Sequence, residues 1–516
     1  MSAGLPEDSD SRMISSPALN WLCVLAGPLL GGLVAWLLPE TFQPATAPTE
    51  PVTLAIRVTL GALVWMAVWW LTQCFPLWVT ALVPLLLFPL ANAAPLAQIA
   101  EAYVDPTIRL FLGGFLISAA IGRWGLGERF SLLVLRGMGS RPRNLVAGLM
   151  FVTATISAFV SNAATTAIML PIALSLVRLV GEQNRDRTGV ATRFGTCCML
   201  GVAYAASLGG LVTLLGSPPN LILAGFLNNI ADPAQRIEVT FLSWLGIGLP
   251  FALLMLPACW WLLTCWLFPL PNEGVPAAER EVRKRLVALG RLSRGEFATL
   301  CSFLLAVVLW IASPWLKPMA LSFGAETVRP FAWLSDWRVG AMAVGLLILW
   351  PVSLRPLTFA LEIPDFKRVP WSVLILFGGG LALSAAMTSS HADKMLAAGL
   401  EFFQAWPRPL AVLVFVVAVI FFTEIASNTA TTATALPIFG ALAESWSIHP
   451  AYLAVPITIA ASCAFMLPVG TPPNAIVFAS GQVSGRDMIR AGWWLNWIAV
   501  AVIALISNLL VEWFLL

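Results

Sequence analysis

The chain has 516 residues, 59% of them hydrophobic and 11% charged, with a mean hydropathy of +0.86 and a net charge of +3. A soluble domain carries roughly 25% charged residues, so this composition excludes a soluble globular protein and describes one whose surroundings are membrane lipid, with no nucleic-acid partner expected. Uncharged runs over Val58–Ala100, Phe194–Ala231 and Val239–Asn272 each exceed the about 20 apolar residues that one spanning helix needs.

Basic residues cluster in Arg123–Arg143, Arg185–Arg193 and Arg280–Arg294 and around Lys367, Arg368, Arg486 and Arg490, whereas Glu40–Glu50 and Glu101–Asp105 contain no Lys or Arg. The positive-inside rule places the first set in the cytoplasm and the second outside. Residues 1–18 then form a cytoplasmic tail before a retained first helix, because no small-residue cleavage site follows. Spans are predicted over 19–39, 52–71, 76–95 and 107–122, ending at Arg123. The next apolar stretch, 142–180, has cytoplasmic connections at both ends and is predicted to be a re-entrant hairpin. A span over 194–230 leads out and one over 240–270 returns to a basic cytoplasmic linker, 273–297, which divides a first half (19–272) from a second (298–516). Spans over 298–316, 338–354 and 371–389 follow, then an amphipathic segment over 391–405. A second hairpin over 408–446 enters from the outer face, and spans over 450–482 and 491–513 leave the carboxyl end outside. The fold class expected is an all-α polytopic membrane protein of about 11 segments, built from inverted-topology repeats.

The repeats are written in the motifs. "SNAATTAIMLPI" begins at Ser161 and "SNTATTATALPI" at Ser427, identical at nine of twelve positions. Gly113-Gly114 with Ser118-Ala119-Ala120 matches Gly379-Gly380 with Ser384-Ala385-Ala386, and "GSPPNLI" at Gly216 matches "GTPPNAI" at Gly470. Ser161-Asn162 and Ser427-Asn428 are helix-capping types at the points where each hairpin must reverse. Gly-Ser-Pro-Pro and Gly-Thr-Pro-Pro interrupt otherwise continuous spans, so two broken helices are expected.

Breaks at membrane depth are tolerable only inside protein or beside a water-filled cavity. Their helix N-termini suit an oxyanion, and their freed carbonyls and Ser, Thr or Asn oxygens suit a bare alkali cation. No Lys or Arg lies between Arg143 and Arg178, Arg193 and Arg236, or Arg408 and Arg486, so cations would have to neutralise the anion. Thr165, Thr166, Thr431 and Thr432, further into the helices, are expected to join neighbouring helices. Glu424 lies deep in the second hairpin opposite Ala158 in the first. Two roles are open to it, a structural partner of polar groups near the turn and a proton-coupling group. The eight Cys show no ligand spacing and read as packing residues, and two His leave little for a zinc or haem centre. An ion channel would need a continuous hydrated pore, and an intramembrane enzyme a nucleophile, base or metal cluster; paired hairpins without such groups favour a transporter.

The two dodecapeptides, "FMLPVGTPPNAIVFASG" (Phe465–Gly481), "YVDPTIRLFLGGFLISAAI" (Tyr103–Ile121) and "WSVLILFGGGLALSAA" (Trp371–Ala386) closely resemble the divalent anion/sodium symporter family, the sodium-coupled di- and tricarboxylate transporters. The resemblance runs from about residue 60 to the end. It implies a dimerising scaffold, a transport domain that moves as an elevator, and Na+ as the co-transported ion. One sodium site would use Ser157, Ser161, Asn162 and Gly216, and a second Thr423, Ala426, Asn428 and Gly470. The substrate would contact Asn162, Asn428 and Thr429, with Ser217 and Thr471 close by.

The chain departs from the family pattern at Ala163, where a Thr is usual, at Gln73, where Glu is frequent, and at Gly127-Glu128-Arg129, where a His-Lys-Arg run is common. The missing hydroxyl at Ala163 implies weaker dicarboxylate binding or a different anion. The expected function is sodium-coupled symport of a small divalent anion, a C4-dicarboxylate such as succinate, malate or fumarate, by a homodimer in a bacterial cytoplasmic membrane. Sulfate symport and sodium-independent dicarboxylate exchange are the alternatives on the same fold.

Overall fold

The computed structural model describes residues 17–43, 49–183, 189–230, 232–323 and 326–516. The tail expected over 1–18 lies outside the described residues apart from its last two, as do residues 184–188 of the connection leading to Arg193. Helix α1 (Pro17–Leu37) packs along α2 (Leu54–Thr72). The Thr53 side chain starts α2 by accepting a hydrogen bond from the Ile56 N–H, and Gln73 ends it in a left-handed conformation, φ 50°. The single span expected over 76–95 is two short helices, α3 (Leu77–Thr80) and α4 (Val83–Leu90), with Pro84 at the start of the second, where a missing N–H costs nothing. Helix α5 (Leu96–Ala102) leads to α6 (Pro106–Trp124), which Asp105 caps by accepting from the Thr107 N–H and Gly125 ends at φ 69°. An amphipathic helix, α7 (Leu126–Met138), then lies among the basic residues.

The first hairpin is α8 (Pro142–Ser157) and α9 (Asn162–Gln183). Helix α10 (Val190–Gly210) and α11 (Pro218–Asn228) form the first broken helix, and α12 (Phe241–Trp261) returns, continuing through a π-helical turn over Leu262–Leu267. The linker over 273–297 is not an open loop: α13 (Pro276–Ala288) occupies its middle and packs on α7 and α9. Helices α14 (Arg294–Leu316) and α15 (Asp336–Leu349) follow. The span expected over 338–354 is corrected here. Trp350 is extended ahead of Pro351, as a residue before proline prefers, and residues 351–354 pair with 357–359 as a short hairpin of strands. Helix α16 (Trp371–Ser390) leads to α17 (Ala392–Gly399), the amphipathic segment. The second hairpin, α18 (Arg408–Thr423) and α19 (Asn428–Ser445), precedes the second broken helix, α20 (Ala451–Ala461) and α21 (Pro472–Ala479), and α22 (Gly485–Phe514) closes the chain.

The hairpins are opposed, and α12 is the ruler that shows it. The base of the first hairpin sits at the C-terminal end of α12, where Arg143 donates to the Leu270 carbonyl, the Trp260 indole donates to the Arg143 carbonyl, and the Val275 N–H donates to Ser140. The second hairpin's base sits at the other end, where His449, just beyond α19, bonds the Gln235 carbonyl in the connection that enters α12. Among the described residues eight helices are long and apolar enough to cross a membrane, and shorter apolar helices over Leu77–Leu90, Arg408–Thr423 and Ala451–Ala461 add to them. Trp70, Trp244 and Trp310 are fully buried, and each indole N–H finds a backbone carbonyl, of Leu77, Leu211 and Asp336 respectively.

On the basic face, Arg123 at the end of α6 pairs with Glu362 at 2.6 Å and Asp365 at 2.5 Å, and its guanidinium holds the Glu362 carboxyl below its ordinary range. Arg129 on α7 pairs with Glu296 at 2.6 Å and donates to the carbonyls of Leu289, Gly290 and Arg291, which end α13. The first hairpin and the broken helix meet backbone to backbone: a Cβ at Gly209 would overlap the Ala154 carbonyl oxygen and Cα. Gly209→Ala therefore gains up to about 1 kcal/mol of helix propensity but loses about 1–3 kcal/mol to overpacking. We expect a lower melting temperature for purified Gly209→Ala and no loss for Gly32→Ala, whose Cβ meets open space.

Candidate functional site

The first hairpin reverses over 158–161, and the reversal brings three oxygens together. Ser157 Oγ lies 2.8 Å from Asn162 Oδ1 and 2.7 Å from the Ala206 carbonyl oxygen of α10. The hydroxyl has one proton and can satisfy one of those acceptors, so the cluster carries more lone pairs than donors. The second hairpin repeats the arrangement: Thr423 Oγ1 lies 2.8 Å from Asn428 Oδ1 and 2.8 Å from the Ala461 carbonyl oxygen where α20 ends. Ser157 and Thr423 are fully buried, whereas Asn162 and Asn428 are half-buried. Oxygen-rich, proton-poor clusters of this kind suit a hard monovalent cation. The two carbonyls, Ala206 and Ala461, are invisible to motif reasoning because any residue can supply a carbonyl.

The broken helices close over these clusters. A Cβ at Gly216 would lie 2.8 Å from the Ser157 carbonyl oxygen, and one at Gly210 would overlap Asn162 Oδ1, so both positions require glycine for approach. At the second break a Cβ at Gly470 would lie 3.1 Å from the Glu424 carbonyl oxygen. Ser157, Asn162 and Gly216 are thus assembled on one side; on the other Thr423 meets Asn428, and Gly470 lies against the adjoining Glu424. Ser161 caps the first tip, its hydroxyl 3.4 Å from the Ala164 N–H, and Ala426 is buried beside the second.

Of the residues named for an anion, Asn162, Asn428 and Thr429 lie at the two tips, and Ser217 and Thr471 at the two breaks. Thr429 lines a small gap with Pro218, Phe111 and Phe377, so the second hairpin's Asn-Thr pair faces the start of α11. Thr471 Oγ1 caps α21 by accepting from the Asn474 N–H at 3.3 Å, while Ser217, at the matching position before α11, makes no capping bond with its side chain. Both are nearly buried. None of the four inner threonines meets the expectation of a bond to a neighbouring helix: the Thr165 hydroxyl turns to the Val160 carbonyl at its own tip, and the Thr431 hydroxyl is buried without a partner among the described residues. Thr166 and Thr432 donate to the Asn162 and Asn428 carbonyls one turn back, because a hydroxyl in a helix reaches its own i−4 carbonyl most readily.

The sequence pattern described as the sodium:sulfate symporter transmembrane region matches residues 30–516. A protein of Staphylococcus saprophyticus named sodium-dependent dicarboxylate transporter SdcS is 34% identical over 493 residues, covering 94% of this chain and 91% of its own. Its namesake in Staphylococcus aureus is 33% identical over 496 residues, covering 93% and 90%. The chain belongs to the sodium:sulfate symporter family. Membership bears out the resemblance to divalent anion/sodium symporters seen in the hairpin motifs, and it makes this family member a membrane transporter and not an enzyme. Among solved structures the Alcanivorax borkumensis YdaH transporter, described as having an unusual topology, shares the fold with a TM-score of 0.53 at 14% identity, over 96% of this chain and 97% of that one.

Within the family frame the chain's departures fall in different places. Ala163 follows Asn162 at the first tip and is half-buried. Gln73 caps α2, and Gly127-Glu128-Arg129 opens α7, where Arg129 anchors α13 and α14; neither touches the clusters. Glu424 is a structural clamp. Its carboxylate accepts from the N–H groups of Phe465 at 2.7 Å, Met466 at 2.9 Å and Leu467 at 3.1 Å and from Asn496 Nδ2 at 2.8 Å. All four partners are N–H donors, so a carboxyl proton would find no acceptor among them. In the first repeat Ala158 replaces the carboxylate. There the Leu211 and Val212 N–H groups turn back onto Leu208 and Gly209, and the Thr213 hydroxyl donates to the Ala158 carbonyl.

Glu424→Gln sets an amide N–H₂ against N–H donors and forfeits about 1.5–3 kcal/mol per charged hydrogen bond lost. We expect a lower melting temperature and reduced uptake with the pH profile of the residual transport unchanged. A stable Gln variant that transports normally but loses pH dependence would assign a proton-coupling role instead.

Proposed function

We propose that the protein is a secondary active transporter that carries a small divalent anion, a C4-dicarboxylate such as succinate, malate or fumarate, into the cell together with Na+. The observation that carries this reading is the pair of oxygen clusters, Ser157–Asn162–Ala206 and Thr423–Asn428–Ala461, which flank tips bearing no basic side chain. An anion held at Asn162, Asn428, Thr429, Ser217 and Thr471 then depends on the bound cations for its neutralisation. The two ligands raise one another's affinity, which is the basis of coupling. Ser161 with Gly216 and Ala426 with Gly470 complete the cation sets. The names of the staphylococcal relatives agree with both the ion and the substrate class.

Alternating access is of the elevator type in this reading. The hairpins, broken helices and α22 move as one body against a scaffold that contains α2, α6, α14, α15 and α16 and that dimerises in the cytoplasmic membrane, with the amino end inside and the carboxyl end outside. Sulfate is the second reading, favoured by the family's description and by Ala163, whose side chain offers no hydroxyl to a second carboxylate.

The test is uptake of labelled succinate by the purified protein in liposomes, with an inward sodium gradient and then with potassium in its place. Uptake that needs sodium and yields to malate and fumarate is the expected result; sodium-independent counter-flow, or sodium-driven sulfate uptake without succinate uptake, would overturn it. Restoring the hydroxyl with Ala163→Thr adds a hydrogen bond to a charged group worth about 1.5–3 kcal/mol. The KM for succinate is therefore expected to fall at least tenfold, since each 1.4 kcal/mol is about a factor of ten.

A further inference from the structure

Each broken helix contains an asparagine directly after its two prolines, and neither belongs to the cation or anion sets above. Asn220 and Asn474 are both fully buried. Asn220 Nδ2 donates at 2.8 Å to the Gly210 carbonyl and at 2.8 Å to the Thr213 carbonyl. Asn474 Nδ2 donates at 3.2 Å to the Ala464 carbonyl and at 3.0 Å to the Leu467 carbonyl. The spacing is the same in both, ten and seven residues back, so one amide spans each break and ties its two ends. Both carboxamide oxygens are left buried without a hydrogen-bond partner among the described residues. Generic packing does not account for a buried group that uses only half its polar capacity, in the same way, in two inverted repeats.

The tie runs straight to the clusters. Gly210, whose carbonyl Asn220 holds, lies so close to Asn162 that a Cβ there would overlap Oδ1, and Gly216 lies against both Gly210 and the Ser157 carbonyl. In the second repeat Ala464, held by Asn474, packs against Gly470, which lies against the Glu424 carbonyl. We propose that Asn220 and Asn474 are the positioning residues of the two cation sites: each fixes the glycine-bearing loop against its hairpin tip so that the oxygens of the two elements converge at one distance. The proposal rests on the sodium-coupled reading above. Without the amide, the Gly210 and Thr213 or Ala464 and Leu467 carbonyls are released, the loop drifts from the tip, and the cation loses a fixed partner while the anion keeps its contacts at Asn162, Asn428 and Thr429 and loses at most those at Ser217 and Thr471.

The experiment compares wild type with Asn220→Ala, Asn474→Ala and the isosteric Asn220→Asp and Asn474→Asp, as purified full-length proteins in liposomes and in detergent. Sodium activation and succinate KM at saturating sodium are read separately. Loss of a group that orients metal ligands typically weakens metal affinity about 10–100-fold, so the half-saturating sodium concentration is expected to rise by that factor, with a smaller rise in succinate KM at saturating sodium. For any variant too inactive to assay, the rise in melting temperature on exchanging potassium for sodium is measured. That rise is expected to shrink, beside the general fall in melting temperature that two unpaired buried carbonyls bring in either salt. Variants with lower maximal uptake but an unchanged sodium midpoint, or an unchanged sodium-dependent melting shift, would overturn the positioning role. A wild type with neither sodium-driven uptake nor a sodium-dependent melting shift would overturn the sodium reading itself, and this inference with it.

Discussion

A backbone that leaves its helix inside a membrane must find partners for every N–H and carbonyl it exposes, since no water in the hydrocarbon will take them. This chain leaves its helices four times at depth, at two hairpin tips and two breaks. The partners it finds define the rest of the structure. At the first break the chain satisfies itself through short turns onto Leu208 and Gly209 and through Thr213. At the second the N–H groups of Phe465, Met466 and Leu467 turn instead to the Glu424 carboxylate, which Asn496 braces by donating to it. The amides of Asn220 and Asn474 close both breaks in the same way.

What remains after that accounting is an excess of acceptors at two places. Around Ser157 and around Thr423 three oxygens share one hydroxyl proton. An excess of lone pairs in a low-dielectric setting is costly until a cation arrives, which would give an ion bound as proposed an organising part in the tips. The residues proposed for the anion lie at those tips and at the breaks beside them, so in the proposed function ordering by one ligand serves the other. Pseudo-symmetry supplies the two oxygen clusters, and its failure at Glu424/Ala158 and Thr429/Ala163 separates their chemistry: the second repeat carries an extra fixed carboxylate and the extra hydroxyl.

The helices that carry these elements are held on the basic face by Arg123 and Arg129, whose ion pairs tie α6 to the segment before α16 and α7 to the first turn of α14. Glycine governs close approach elsewhere, as at Gly209 on Ala154 and Gly492 on Phe465, where α22 reaches the second break. In lipid, where apolar burial gains little between helices, such backbone contact is the main source of packing attraction.

Composition, charge asymmetry and the doubled motifs determined the membrane class, the inverted repeats, the two hairpins and the place of Asn162 and Asn428 at their tips, because each depends on side-chain type or on periodicity, while Ser157 and Thr423 entered only through the family resemblance. The boundaries of the 76–95 and 338–354 spans were misread, since proline in an apolar run interrupts a helix without altering its hydropathy. The Ala206 and Ala461 carbonyls, the clamp formed by Glu424 and the ties made by Asn220 and Asn474 were decided only by the tertiary structure. A carbonyl has no sequence signature, and the use of a buried carboxylate or amide depends on which backbone groups the fold has left without partners.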